Sequence, residues 1–133
     1  MKTIYLGAFL TKDSRDLLLE RFPPKHSQVI ADHLTLVFRP EDVDIALFPA
    51  GVRIKIRVLA NVFDSAGHAV VVQSALRSGQ PTPHITISCA DGVKPVYSNS
   101  LFTGDLPDVS YEVLGDPLYL DAVLDTFPRS FPA

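Results

Sequence analysis

Two stretches of the chain share one pattern: Asp-His-Leu-Thr-Leu-Val-Phe at residues 32–38 and Pro-His-Ile-Thr-Ile-Ser-Cys at residues 83–89. Each holds a His, an aliphatic residue, a Thr and a second aliphatic residue. Both runs are rich in β-branched and aliphatic side chains, so both predict strands. Side chains alternate across a strand. His33 and Thr35 therefore share one face, about 7 Å apart, while Leu34, Leu36 and Phe38 take the other. His84 and Thr86 repeat the arrangement against Ile85 and Ile87. With four His and seven Thr in 133 residues, random placement yields far fewer than one such pair. A single copy reads as a polar, solvated strand face; the matched pair points to a site.

Outward from these strands, the pattern is mostly β. Residues 2–10 predict a first strand. Residues 12–24 predict a helix that Asp13 or Ser14 caps, with Leu17, Leu18 and Leu19 on its apolar side and the Pro pair at 23–24 ending it. The stretch 26–40 predicts a strand or a broken strand, and 44–51 a short strand with a turn. Val52, Ile54, Ile56 and Val58 alternate with Arg53, Lys55 and Arg57 in a further strand. Residues 64–68 predict a turn, 69–77 a strand and 77–83 a loop. Residues 94–102 predict a loop with one helical turn. Residues 110–127 predict one or two strands interrupted at Gly115-Asp116-Pro117. Strands outnumber helices without βα alternation, which predicts an antiparallel α+β fold as one domain over residues 1–133.

Composition limits the function. The net charge of −3 and pI near 5.7 disfavour a protein that grips long nucleic acid through many phosphate contacts. They leave room for a nucleotide or an RNA end. Hydrophobic residues make up 47% and the mean hydropathy is +0.19, enough apolar material for a core. No apolar run reaches the roughly 18 residues of a membrane span. The short apolar run near the start, followed at once by a charged helix signal, reads as a strand rather than a signal peptide. A lone cysteine, Cys89, excludes an internal disulfide and a multi-cysteine metal site. It reads as a small buried residue in a protein of the reducing cytoplasm. The chain carries no Walker-type phosphate loop and no GxGxxG, so ligase or kinase chemistry is not expected of it.

Paired imidazoles suit phosphoryl transfer. One, neutral, takes a proton from water or a ribose hydroxyl; the other, protonated, donates to the leaving oxygen. The Thr hydroxyls can donate to non-bridging phosphate oxygens. Two His with no carboxylate nearby make a poor divalent-metal site, so neither a metal nor a cofactor is expected.

The His-Leu-Thr-Leu and His-Ile-Thr-Ile runs resemble the paired signature of the 2H phosphoesterase superfamily. Together with Tyr5–Thr11 and Gly92–Leu101, they are similar to the branch holding the cyclic phosphodiesterase domain of fungal and plant tRNA ligases and related bacterial and phage RNA-repair-type proteins. The resemblance implies a two-lobed, pseudo-symmetric, LigT-like fold around a central cleft. It implies His33 and His84 as the acid–base pair and Thr35 and Thr86 as phosphate ligands. It also implies opening of a 2′,3′-cyclic phosphate to a 2′-phosphate. Two alternatives stay open: cleavage of cyclic oligonucleotide signals, as phage members of that superfamily perform, or nucleotide and RNA-end binding without catalysis. The histidines stand 51 positions apart, a short spacing for that superfamily that implies trimmed lobes.

Other residues are weighed one by one. Lys94, Tyr97 or Ser98 falls near the second His strand as a candidate substrate contact, against an ordinary turn whose Ser98 or Asn99 caps a helix. Tyr5 is a candidate for stacking on a base, against a plain core or rim aromatic. Arg53, Lys55 and Arg57 read first as a solvated face, with a basic wall that draws an anionic substrate as the alternative. His26 and His68, with no Thr two places on, read as loop surface.

Overall fold

A computed structural model describes residues 2–130. β1 (Tyr5–Leu10) runs directly into α1 (Lys12–Arg21). Thr11 caps this helix by accepting a hydrogen bond from the Ser14 amide at 3.3 Å, the arrangement that satisfies an orphan N–H of the first turn. The cap thus lies two residues before the earliest one expected. Ser14 is buried instead, and its hydroxyl accepts from the Asp121 amide at 2.7 Å. Of the three leucines expected to bury, Leu18 is buried, Leu19 packs at the core edge and Leu17 is exposed.

The His-bearing segment is a broken strand: β2 (Gln28–Val29) and β3 (His33–Phe38) are separated by Ala31, whose φ of 45° turns the chain. The strand expected over residues 44–51 is a short helix, α2 (Asp42–Leu47). There the Asp44 carboxylate accepts from the Glu41 amide at 2.8 Å, a local bond that competes with strand pairing.

β4 (Arg53–Phe63) and β5 (Gly67–Ser74) form a hairpin, followed by β6 (His84–Cys89), a 3₁₀ helix (Pro95–Phe102) and β7 (Ser110–Phe127). The Gly115-Asp116-Pro117 break does not divide β7. Val58 pairs with Leu118 and Ala60 with Val113, so the intervening residues bulge opposite Leu59 while pairing resumes on either side.

The sheet order is β2-β6-β3-β1-β7-β4-β5, and a further β5–β6 pairing closes it into a barrel-like ring. Every pairing is antiparallel, so the architecture is the expected α+β class with few helices. All six ring strands feed one apolar cluster, including Ala8, Leu34, Ile56, Val70, Ile85 and Leu120, all essentially without solvent exposure. Each fully buried Leu or Ile there contributes about 1.5–3 kcal/mol. The aliphatic residues between and after the motif His and Thr residues are therefore the anchors that aim those side chains at the opposite face. Cys89 is buried, as expected. Among the described residues no helix is long and apolar enough to cross a membrane.

Candidate active site

The two motif strands are neighbours. Leu34 of β3 pairs with Ile85 of β6 in antiparallel register. Continuing that register one residue either way sets His33 opposite Thr86 and Thr35 opposite His84. Each His thus faces the Thr of the other motif. All four line one groove of about 1240 Å³, together with Tyr5, Phe38, Phe102 and the loop 77–82.

Each ring has its Nδ1 fixed. The His84 Nδ1 lies 2.7 Å from the carbonyl oxygen of Thr82. A carbonyl only accepts, so Nδ1 carries the proton and Nε2 is left as the basic atom. The His84 ring is buried and lies 4.9 Å from that of Phe102. Burial pushes its pKa below the ordinary imidazole value, the charge of His33 pushes the same way, and the Thr82 bond opposes both. Around His33, Nδ1 stands 3.1 Å from a carboxylate oxygen of Asp32, and Nε2 stands 3.1 Å from the Thr35 hydroxyl. That bond with His33 holds the Asp32 carboxyl below the usual range. A carboxylate therefore does stand beside one of the paired histidines, contrary to the sequence expectation. In a strand, neighbours point to opposite faces; Asp32 escapes the rule because it follows the turn at Ala31 and precedes the strand. Among the described residues no group of three or more His, Cys, Asp or Glu gathers as metal ligands would.

Tyr5 lines the groove and stacks on His33 with centroids 4.6 Å apart and planes 18° apart, and on Phe127 at 4.9 Å. Its ring is thus occupied as a platform for the imidazole. Burial pushes its phenol pKa upward, with Asp32 adding to the effect.

The 3₁₀ helix supplies the far wall, though through different residues than expected. Ser98 is fully buried and accepts from the Thr86 hydroxyl at 2.8 Å, so it stands behind Thr86 rather than in the groove. Tyr97 turns away: its hydroxyl donates to Asp64 at 2.5 Å, and its ring covers Gly67 closely enough that a Cβ there would lie 2.7 Å from it. Lys94 caps the helix and is exposed. Neither Lys94 nor Tyr97 lines the groove; Val96, Asn99 and Phe102 do.

Two further groove residues carried no sequence signal beyond a Gly- and Pro-containing loop. Arg77 and Gln80 line the groove, and the Gln80 amide oxygen is buried with no hydrogen-bond partner among the described residues. A buried acceptor left unpaired costs about 1–3 kcal/mol.

Of the other two histidines, His26 lies half-buried in the loop between α1 and β2, where a loop was expected, whereas His68 is not loop surface. His68 lies on β5 and is fully buried. Its Nδ1 accepts from the Lys25 amide at 3.3 Å and its Nε2 donates to Asn61 at 2.6 Å. Burial, with the nearby charges of Lys25 and His26, lowers its pKa to about 4. His26 donates through Nε2 to the Asp64 carbonyl at 2.9 Å.

The fold and groove define an antiparallel barrel-like α+β protein with two histidines converging on one ligand-sized groove. No family model matches the chain, and no curated protein matches it. Among solved structures, the crystal structure of a fungal RNA kinase superposes with a TM-score of 0.67 at 15% identity, over 92% of this chain and 46% of that one. The chain thus spans about half that protein's length, and the likeness concerns the fold.

Proposed function

We propose that the chain is a phosphodiesterase of the two-histidine (2H) type that opens a ribonucleoside 2′,3′-cyclic phosphate to the 2′-phosphate. The observation that carries this reading is the Leu34–Ile85 register, which puts each His opposite the other motif's Thr within one groove. His84, whose neutral form burial favours, takes a proton from the attacking water through Nε2. His33, ion-paired with Asp32 at 3.1 Å when protonated, donates from Nε2 to the departing 3′-oxygen. The Thr35 hydroxyl, and that of Thr86 once it turns from Ser98, donate to the non-bridging oxygens, where charge accumulates. The structural neighbour's name, an RNA kinase, is in keeping with an RNA-directed enzyme.

The groove exceeds the roughly 300–1,000 Å³ usual for small-ligand pockets, which keeps a cyclic oligonucleotide as the competing substrate. The test is a panel of 2′,3′-cyclic mononucleotides, RNA with a cyclic phosphate end, and cyclic di- and trinucleotides, with products identified by mass and phosphate position. The expected product is a 2′-phosphate. Full activity of His84→Ala with EDTA present, or no turnover of any cyclic phosphate, overturns the proposal. Turnover of cyclic oligonucleotides alone assigns the groove to the competing substrate.

A further inference from the structure

We infer that the groove face of the sheet continues into a binding track for single-stranded RNA, formed by Arg129, Arg53, Lys55, Arg57 and Tyr119. This deepens the phosphodiesterase reading and rests on it. It makes the substrate an RNA strand whose reacting end lies in the groove and whose upstream nucleotides cross the sheet.

In an antiparallel ladder, residues directly opposite one another share a face. His33 lies opposite Phe9, Phe9 opposite Val123, and Val123 opposite Arg53. One row of the sheet therefore joins the reacting histidine to the first cation of β4. Three strand spacings put Arg53 roughly 14 Å from His33 along that curved row, halfway round the six-strand ring. On the same face the next rows pair Asp121 with Lys55, and Tyr119 with Arg57, with Gln73 beyond. Arg129 stands over the gap: its guanidinium lies 4.4 Å above the Phe9 ring and 3.3 Å from Asp125.

Arg53, Lys55 and Arg57 are all exposed, and Tyr119 is 52% exposed. Lys55, Arg57, Gln73, Ser74, Ala75 and Tyr119 enclose a second, shallower pocket of about 380 Å³. Ala75 of this pocket and Arg77 of the main groove stand two residues apart in the loop that follows β5. Cations beside an exposed aromatic ring are what an unpaired strand needs: charge for the phosphates and a face on which a base can stack. Asp121 is the carboxylate among these rows, and Lys55 holds it at 2.8 Å, which leaves the two arginines to set the local potential. An acidic chain of net charge −3 that gathers these cations on the site's own face favours a polyanion there over a neutral or cationic partner. The exposed tyrosine favours RNA over an acidic peptide.

Two substrates decide the matter: a nucleoside 2′,3′-cyclic phosphate and an RNA of about eight nucleotides ending in that group, a length within the usual single-strand site. At low salt, kcat/KM for the RNA is expected to exceed that for the mononucleotide at least tenfold. In Arg53→Ala/Arg57→Ala the ratio falls toward one, and Arg53→Lys/Arg57→Lys restores it. Anisotropy of the same RNA bearing a 3′-phosphate should give a salt slope near −2 for three phosphate contacts, reduced by about 1.4 in the double alanine variant. Equal kcat/KM for the two substrates, an alanine variant that keeps the ratio, or an acidic peptide that binds as tightly as the RNA overturns the track and leaves the phosphodiesterase reading standing. If neither substrate turns over, the phosphodiesterase reading fails. The anisotropy then judges the track alone: a salt slope that the double variant reduces upholds it, and no such change overturns it.

Discussion

His84 and His68 are both buried, and burial lowers both pKa values, yet the two rings have opposite prospects. His68 has each nitrogen committed: one accepts from a backbone amide and the other donates to Asn61. That fixes a neutral Nε2–H tautomer and leaves no nitrogen for chemistry. His84 has only Nδ1 committed, to Thr82, and its Nε2 has no partner among the described residues. His33 is intermediate, with Asp32 on Nδ1 and a rotatable Thr35 hydroxyl on Nε2. Burial and a shifted pKa therefore do not separate an imidazole with an open nitrogen from a fully bonded one. The number of nitrogens with rigid partners does.

The contrast can be broken most directly at the rings themselves. His84→Ala and His33→Ala should each lower kcat about 10²–10⁴-fold, the usual worth of a positioned proton-transfer group, with the melting temperature little changed. His68→Ala should do the reverse. It strands the Lys25 amide and the Asn61 oxygen, costing about 2–3 kcal/mol of stability, while kcat of the folded fraction is retained. A kcat loss in His68→Ala as deep as in His84→Ala would erase the distinction.

Acid sharpens the same comparison. The folded-state pKa of His68, about 4, lies below its ordinary value of 6.5. Between those values the unfolded chain binds the proton and the folded one does not. Stability is thus full above about pH 6.5 and falls as the pH drops, the loss being complete near pH 4. The difference corresponds to about 3 kcal/mol. Urea unfolding at pH 7, 5.5 and 4 measures it, and His68→Gln should flatten the curve. An unchanged slope in that variant would assign the acid sensitivity elsewhere.

Asp32→Asn removes the charge beside His33 and keeps an acceptor for Nδ1. The expected loss is about tenfold in kcat, or roughly 1.4 kcal/mol, with KM nearly unchanged. A shift in KM alone would make Asp32 a substrate contact. The smallest effects are expected across the 3₁₀ helix. Tyr97→Phe should cost about 1 kcal/mol of stability for its bond to Asp64, and Lys94→Ala less than about 0.5 kcal/mol. Neither should alter kcat, since both lie outside the groove lining.

Strand periodicity made the core of the site legible. The anchors Leu34, Leu36, Ile85 and Ile87 are buried, while Phe38, expected beside them, is exposed at the groove; His33, Thr35, His84 and Thr86 take the other face. Asp32 stayed hidden because the alternation rule cannot anticipate a positive φ at Ala31. His68 was misplaced because Asp-Ser-Ala-Gly-His reads as a turn, whereas Gly67 already begins β5 and pairs with Cys89. The helix at Asp42–Leu47 went unseen because its cap bond to Asp44 is a local choice that apolar spacing does not record.

By itself, the sequence determined which side chains share a strand face, since alternation is a property of the extended backbone and needs no partner. It also determined the antiparallel α+β class. Only the tertiary structure decided that β3 and β6 are neighbours and that Asp32 reaches His33. It alone put Ser98 behind Thr86 with Tyr97 turned away, and set Arg53 in one row with His33. Those facts depend on pairing and register between segments far apart in the chain, which closure of the ring around a shared core selects and no local pattern encodes.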